Sequence, residues 1–196
     1  RAKQIDPERS VVLLEKGSEI GSHILSGAVL DTAGIDMLIP NWKETDIPIR
    51  TKVKEDNFFL LGPAGQVKIP NIFLPPLMNN HGNYIVSMGN VCRWLAAKAE
   101  SLGVDIFPGM ACSDLVFGET GEVTGVIAGE FGRDKEGKET DAYEPGMEVL
   151  GKYVLLGEGV RGSLTKILIK KYKLDSQSQP QKYGLGMKEI WEIDPK

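Results

Sequence analysis

The chain is poor in the residues that usually announce chemistry. It has two histidines and two cysteines in 196 residues. Cys92 and Cys112 stand in no C-x-x-C pair and near no His/Cys cluster, so this stretch offers no metal or iron–sulfur site of its own. Two isolated thiols also argue against a disulfide framework and fit a reducing compartment. No Ser-His-Asp arrangement is visible, which makes hydrolase chemistry a poor reading. Basic runs are absent apart from Lys170-Lys171, and 23 Lys and Arg against 27 Asp and Glu give a net charge of −4. That balance argues against a nucleic-acid binder. No apolar run approaches the roughly 18 residues of a membrane span. Internal repeats, low-complexity tracts and a signal peptide are not seen.

What is present is globular: 41% of residues are hydrophobic and 26% charged, enough chain for one domain or one and a half. The first signal is Glu15, which closes the apolar run Val11-Val12-Leu13-Leu14 and precedes Lys16-Gly17. We expect a buried parallel strand over residues 11–15. A carboxylate at such a strand end is how a dinucleotide-binding fold holds a ribose hydroxyl, about 20 residues after a glycine-rich phosphate turn. Only fourteen residues precede Glu15, so that turn would fall before Arg1. With no initial Met, the chain reads as an internal fragment of a larger nucleotide-binding enzyme. Taken alone, Glu15 fits an ordinary solvent-facing strand end better.

Texture along the chain gives the rest of the plan. Residues 18–32 are small and polar and read as a loop. Ala33 to Ile39 form a short helix stopped before Pro40. Residues 41–76 hold five prolines between short apolar pieces, the texture of an inserted strand-and-loop region. Met88, Val91, Leu95, Ala99 and Leu102 keep helical spacing, with Gly103 as a stop. A strand over 104–107 follows, then two alternating strands around 112–118 and 123–128, joined by a turn at 118–121. Residues 132–140 read as a charged loop. An apolar strand over 149–156 ends in Gly157-Glu158-Gly159 and opens into a helix carrying Leu164, Ile167, Leu168 and Lys171. A polar connector over 175–181 leads to a strand over 183–193. The expected class is α/β with α+β elements: an FAD-binding Rossmann-like domain with a β-meander, plus part of an inserted domain.

Three places could carry chemistry. Gly157-Glu158-Gly159, at a strand end before a helix, lets backbone approach a ligand, with an acid able to accept from a sugar or ribityl hydroxyl; a plain turn fits as well. The flat segment from Ser22 to Ala28 would let a planar ring lie on backbone, or is a surface loop. Asn79, Asn80, His81 and Asn83 could cap, brace the insertion or line a site, and bracing is the simpler reading.

Taken together, "LLEKGSEIGSHILSGAVLD", "PNWKETDIP", "PPLMNNHGNYIVSMGNVCRWLAAKAESLGVDIFPG", "GEGVRGSLTK" and "YGLGMKEIWEI" resemble the electron-transfer-flavoprotein:ubiquinone oxidoreductase family, in the family's order along essentially the whole chain. The resemblance implies an enzyme with FAD and a four-iron–four-sulfur cluster that passes electrons from reduced electron-transfer flavoprotein to ubiquinone. It implies a monotopic protein on the bacterial inner membrane's cytoplasmic face or the mitochondrial inner membrane's matrix face. It places Glu15 on the adenosine ribose, Ser26, Gly27 and Ala28 near the flavin, Ala111 near the adenine, and Gly157, Glu158 and Gly159 at the second cofactor-contacting strand end. Gly157 and Val160 stand where many members have Ala and Cys. Cluster ligands would lie outside this stretch, and the stretch alone would be inactive. Residues 1–32 and 84–175 would belong to the FAD domain, and 33–83 and 176–196 to a quinone-binding, membrane-facing domain. Leu38, Ile39, Trp42, Ile47, Phe58 and Phe59 are candidates to touch lipid or the quinone tail, and packing of the insertion fits each of them at least as well. The alternatives are a flavin-dependent hydroxylase or prenyl reductase of the same fold, and a non-catalytic binding module.

Overall fold

The computed structural model describes residues 1–24, 27–184 and 191–192. In chain order the elements are α1 (Ala2–Ile5), β1 (Val12–Glu15), β2 (Ala28–Leu30), α2 (Ala33–Leu38), β3 (Thr51–Lys52), β4 (Phe58–Gly62), β5 (Gly65–Ile69), β6 (Tyr84–Val86), α3 (Met88–Ser101), β7 (Asp105–Pro108), β8 (Cys112–Phe117), β9 (Val123–Ala128), β10 (Phe131–Arg133), β11 (Glu139–Glu144), β12 (Met147–Leu150) and α4 (Ser163–Tyr172). The chain divides into two compact units, Arg1–Leu13 with Glu19–Ile106, and Leu14–Ser18 with Phe107–Lys196. These cuts differ from the functional division expected from the sequence, which concerns the ligands each part would hold.

In the first unit β6 is the centre of a three-stranded antiparallel sheet, with β2 and β3 on its two sides. The core joins Trp42, Ile47 and Ile49 to Val86 and Val91, with Leu30, Ile35, Tyr84 and Leu95 packed around them. α3 belongs to this core because Val91 and Leu95, one turn apart, share its inward face. It ends as expected: Gly103, at φ +82°, donates its N–H to the Glu100 carbonyl. α2 stops at Leu38, two residues before Pro40, with Ile39 closing its last turn on the Ile35 carbonyl. The insertion carries the β4–β5 hairpin. Asp56 ties it down by accepting the Asn80 N–H at 2.8 Å and, through its carbonyl, the Asn71 amide at 2.8 Å. The asparagine cluster therefore braces the insertion.

In the second unit β9 pairs antiparallel with both β8 and β12, and Leu115, Val126 and Leu164 form the core. The turn between β8 and β9 closes with the Gly121 N–H on the Gly118 carbonyl, Gly121 lying at φ +89°. α4 lies on this meander. Lys171 places its ammonium 3.9 Å from the Phe117 ring centre, and the Tyr172 hydroxyl donates to the Gly121 carbonyl.

Several expectations need correction. Residues 132–140 are not a plain loop: β10 and β11 pair across them. Arg133 organises that hairpin, bonding to Glu130 at 2.7 Å and Glu139 at 3.2 Å and stacking on Tyr143. Residues 18–32 include β2, a strand rather than loop. The strand expected over 149–156 ends at Leu150. Val154 and Leu156 still face the core while Leu155 is exposed, the period-two pattern of a strand, but no described strand pairs with them. β1 is a strand but not fully buried, since Val12 and Leu13 are both exposed. Of the strand expected over 183–193, most residues lie outside those described, and Tyr183, Gly184, Trp191 and Glu192 are in no strand.

Candidate functional site

Glu15 ends β1 in the second unit. Its Oε1 accepts the Gly17 N–H at 2.6 Å, which fixes the carboxylate at the strand end and leaves Oε2 as a ready acceptor. The Glu15 and Gly17 carbonyls take the N–H groups of Met110 at 2.9 Å and Gly109 at 2.7 Å. Upstream, the Val11 carbonyl accepts from Asp105 at 3.0 Å. From the Val11–Asp105 bond to the Glu15–Met110 bond the numbers rise on both segments, so β1 and β7 run parallel, as a dinucleotide-binding sheet requires. The same bonds bring the 109–111 turn beside Glu15. Ala111, whose carbonyl accepts the Gly129 N–H at 2.9 Å, is thereby held next to the acid expected to hold a ribose.

The loop at Gly157-Glu158-Gly159, just before α4, has a defined geometry although no described strand ends there. Glu158 Oε2 accepts the N–H and the hydroxyl of Thr165, both at 2.8 Å, and Oε1 accepts the Leu164 N–H at 3.2 Å. Partial burial opposes its charge most strongly. The bonds from Thr165, Leu164 and Ser163 outweigh that, so the carboxyl titrates below its ordinary value. Burial pushes the Cys112 thiol up, and the nearby negative Glu158 pushes it further. Cys112 is therefore a protonated packing residue and not a reactive thiolate. Gly157 and Gly159 flank the acid, Gly159 at φ +78°, and a side-chain carbon on either would meet open space.

In the first unit Gly27, at φ +84°, also faces open space, and Ala28 begins β2 opposite Val86. Ser26 lies outside the described residues. The structure thus joins Glu15 to Ala111 through adjoining backbone, and Gly157 and Gly159 to Glu158 through one loop.

Among the apolar candidates two need correction. Trp42 is 2% exposed and Ile47 0%, so both are core and neither can touch lipid or a quinone tail. They fill the space between α3 and the sheet, a role that apolar texture alone cannot separate from a surface one. Leu38 and Ile39 line a cavity of about 360 Å³ with Leu95, Ala99 and Leu102. Phe59 is exposed and Phe58 half-buried. Sequence reasoning missed the Trp42–Asp36 pair, in which the indole N–H donates to the carboxylate at 2.6 Å, and the Glu158–Thr165 clamp. An acid five residues before Ser163, the first residue of α4, was the available signal for the second. Among the described residues no group of three or more His, Cys, Asp or Glu side chains could hold a metal ion, and no helix is long and apolar enough to cross a membrane.

A parallel β1–β7 pair, an acid at the strand end and a β-meander carrying the next helix define a mixed α/β fold of the FAD-binding Rossmann-like class. A solved structure, THI4 of Thermovibrio ammonificans, shares this fold at a TM-score of 0.52 with 14% identity, over 88% of this chain and 55% of that one. No family model matches the sequence. Curated relatives do. The chain is 49% identical over 197 residues to the electron transfer flavoprotein-ubiquinone oxidoreductase of Pseudomonas aeruginosa, covering 100% of this chain and 36% of that protein. It is 46% identical to the mitochondrial protein of that name in Dictyostelium discoideum, over 94% of this chain and 30% of the relative. The Sus scrofa protein is 41% identical over 100% of this chain and 31% of its own length. By sequence, then, the chain is similar along its whole length to a segment of proteins named electron transfer flavoprotein-ubiquinone oxidoreductase, and it spans about a third of those relatives.

Proposed function

We propose that this chain forms the adenosine- and flavin-facing part of an oxidoreductase that accepts electrons from reduced electron-transfer flavoprotein and delivers them to ubiquinone. The observation that carries the reading is the Glu15 strand end, within a whole-chain match to proteins of that name. The residues fit FAD. Glu15 offers one fixed oxygen and one available oxygen to a ribose. Ala111 sits beside it, and Gly27, Gly157 and Gly159 present bare backbone to open space where a side chain would obstruct a ligand. Ser26 and Ala28 complete the flavin-side set, and Glu158 takes part by shaping its loop. Bound FAD would supply the one- and two-electron redox chemistry. The protein's share is to hold the cofactor, exclude water and fix distances.

The described residues do not fit an iron–sulfur cluster, so its cysteines would belong to other parts of the protein. Residues 1–32 and 84–175 would serve the flavin, and 33–83 and 176–196 the quinone and the membrane surface. Docking would be monotopic, on a bacterial inner membrane's cytoplasmic face or a mitochondrial inner membrane's matrix face. Leu38 and Ile39, on their cavity, and Phe58 and Phe59 are the remaining candidates for lipid or the quinone tail.

The test is the visible spectrum of the protein purified from its complete gene. The two bands of an oxidised flavin over broad iron–sulfur absorption support this reading. Flavin bands alone favour a hydroxylase or reductase, and a colourless folded protein removes the catalytic readings.

A further inference from the structure

The Glu158 carboxylate lies on the first turn of α4. A helix start gathers unpaired N–H groups and the positive end of the helix dipole, and so attracts anions. In nucleotide-binding folds that place commonly seats a phosphate. Here an internal anion holds it: three donors, the Leu164 and Thr165 N–H groups and the Thr165 hydroxyl, converge on Glu158. Gly162 makes the contact tight. A side-chain carbon there would sit 2.6 Å from Glu158 Cβ and Oε2 and 2.9 Å from Thr165 Oγ1. No other acid lies in the first turn, while Lys170 and Lys171 complement the opposite end.

We propose that Glu158 is a positioning and specificity residue: its carboxylate closes the α4 N-terminus to phosphate, so that this loop offers a cofactor only the glycine backbone of Gly157 and Gly159. The consequence for FAD rests on the function proposed above. The closure itself does not. A diphosphate brought to this turn would meet a fixed negative charge and donors already engaged. The loop therefore suits the uncharged part of the cofactor, and its phosphates must be held elsewhere.

The experiment uses inorganic phosphate and the chain itself, with amide resonances of Leu164 and Thr165 as the readout. In the native protein these amides should not respond saturably to phosphate. In Glu158→Ala they should, with binding about tenfold tighter or more. Glu158→Gln keeps the shape and an acceptor oxygen while removing the charge, and should fall between. A purely structural clamp would lower α4 stability in both variants without creating a phosphate response. A saturable response in the native chain, or none in folded Glu158→Ala and Glu158→Gln, overturns the proposal. Should both variants lose α4, the native titration decides alone. FAD binding is measured separately on the protein from the complete gene. Its absence would sink the cofactor reading and leave the phosphate result standing.

Discussion

Gly21 rests directly on Gly89. A side-chain carbon on Gly21 would lie 3.0 Å from the Gly89 Cα and 3.2 Å from its carbonyl oxygen, and Gly21 holds φ +81°. Two glycines thus let the loop after Glu19 lie backbone to backbone on the first turn of α3. Gly21→Ala should lose stability twice over, through a left-handed conformation costing about 1–2 kcal/mol and through the close contact. Gly27, at φ +84° with nothing within 4 Å, isolates the first cost. Urea unfolding should therefore rank Gly21→Ala well below Gly27→Ala. Equal midpoints would show that the loop can lift off α3 freely.

Trp42 and Asp36 make a second testable pair. The indole is 2% exposed and meets Tyr84 edge-on, with ring centres 5.5 Å apart. Trp42→Ala should cost about 3–5 kcal/mol, and Trp42→Phe much less, because most of the volume stays. The phenylalanine variant carries a pH signature. Hydrogen bonds from Trp42 first, then Thr32, hold the Asp36 carboxyl below its ordinary value of 3.8, against a smaller opposing effect of desolvation. A depressed carboxylate adds stability that is complete above the unfolded pKa and is lost as pH falls through the lower, folded one. Trp42→Phe removes the largest cause, so stability should fall less steeply with acid below about pH 4. Acid titration of both proteins by circular dichroism checks this, and parallel slopes would discount the bond.

Much of this architecture was legible in local chemistry. Gly103 and Pro40 punctuate their helices as written, and the glycine turn at 118–121 sets the β8–β9 pairing. Glu15 was readable because a strand end needs little context. The failures share one cause: they depend on partners far away in sequence. Trp42 and Ile47 look like any exposed apolar residues until α3 and the sheet enclose them. Residues 132–140 look like a loop until Arg133 finds Glu139 and Tyr143 across the hairpin. Val154 to Leu156 have strand texture, yet a ladder needs a neighbour. Glu158 was legible as an important acid but not as a helix clamp, since its partner Thr165 lies seven residues on.

Gly125 sits mid-strand in β9, opposite Leu150 on one side and Val116 on the other. A methyl there would run into the Val149 carbonyl oxygen and stand 2.9 Å from a Leu150 methyl. Gly125→Ala should push β12 off the meander at a cost of about 1–3 kcal/mol. Gly137→Ala in the β10–β11 turn, at φ +81° with open space around it, is the control for backbone strain alone. Amide exchange of β12 should quicken in the first variant only, and unchanged protection there would mean the sheet absorbs the methyl.

Glu15 carries two bonds of different kind under the proposed function, and substitution separates them. One is internal, the Gly17 N–H on Oε1 at 2.6 Å. The other would be the ribose hydroxyl on Oε2. Glu15→Gln can keep an oxygen toward Gly17 but presents an amide donor where the second oxygen stood, and carries no charge. Glu15→Ala removes both. A hydrogen bond to a charged group contributes about 1.5–3 kcal/mol, so in the protein from the complete gene Glu15→Gln should weaken FAD binding roughly tenfold to a hundredfold. Glu15→Ala should weaken it at least as much and also loosen the turn at residues 15–17, seen as faster amide exchange at Gly17. Flavin fluorescence recovered on titrating apoprotein with FAD measures the first effect. If Glu15→Gln binds FAD like the native protein while Glu15→Ala loses only Gly17 protection, Glu15 is a turn residue and the ribose assignment fails.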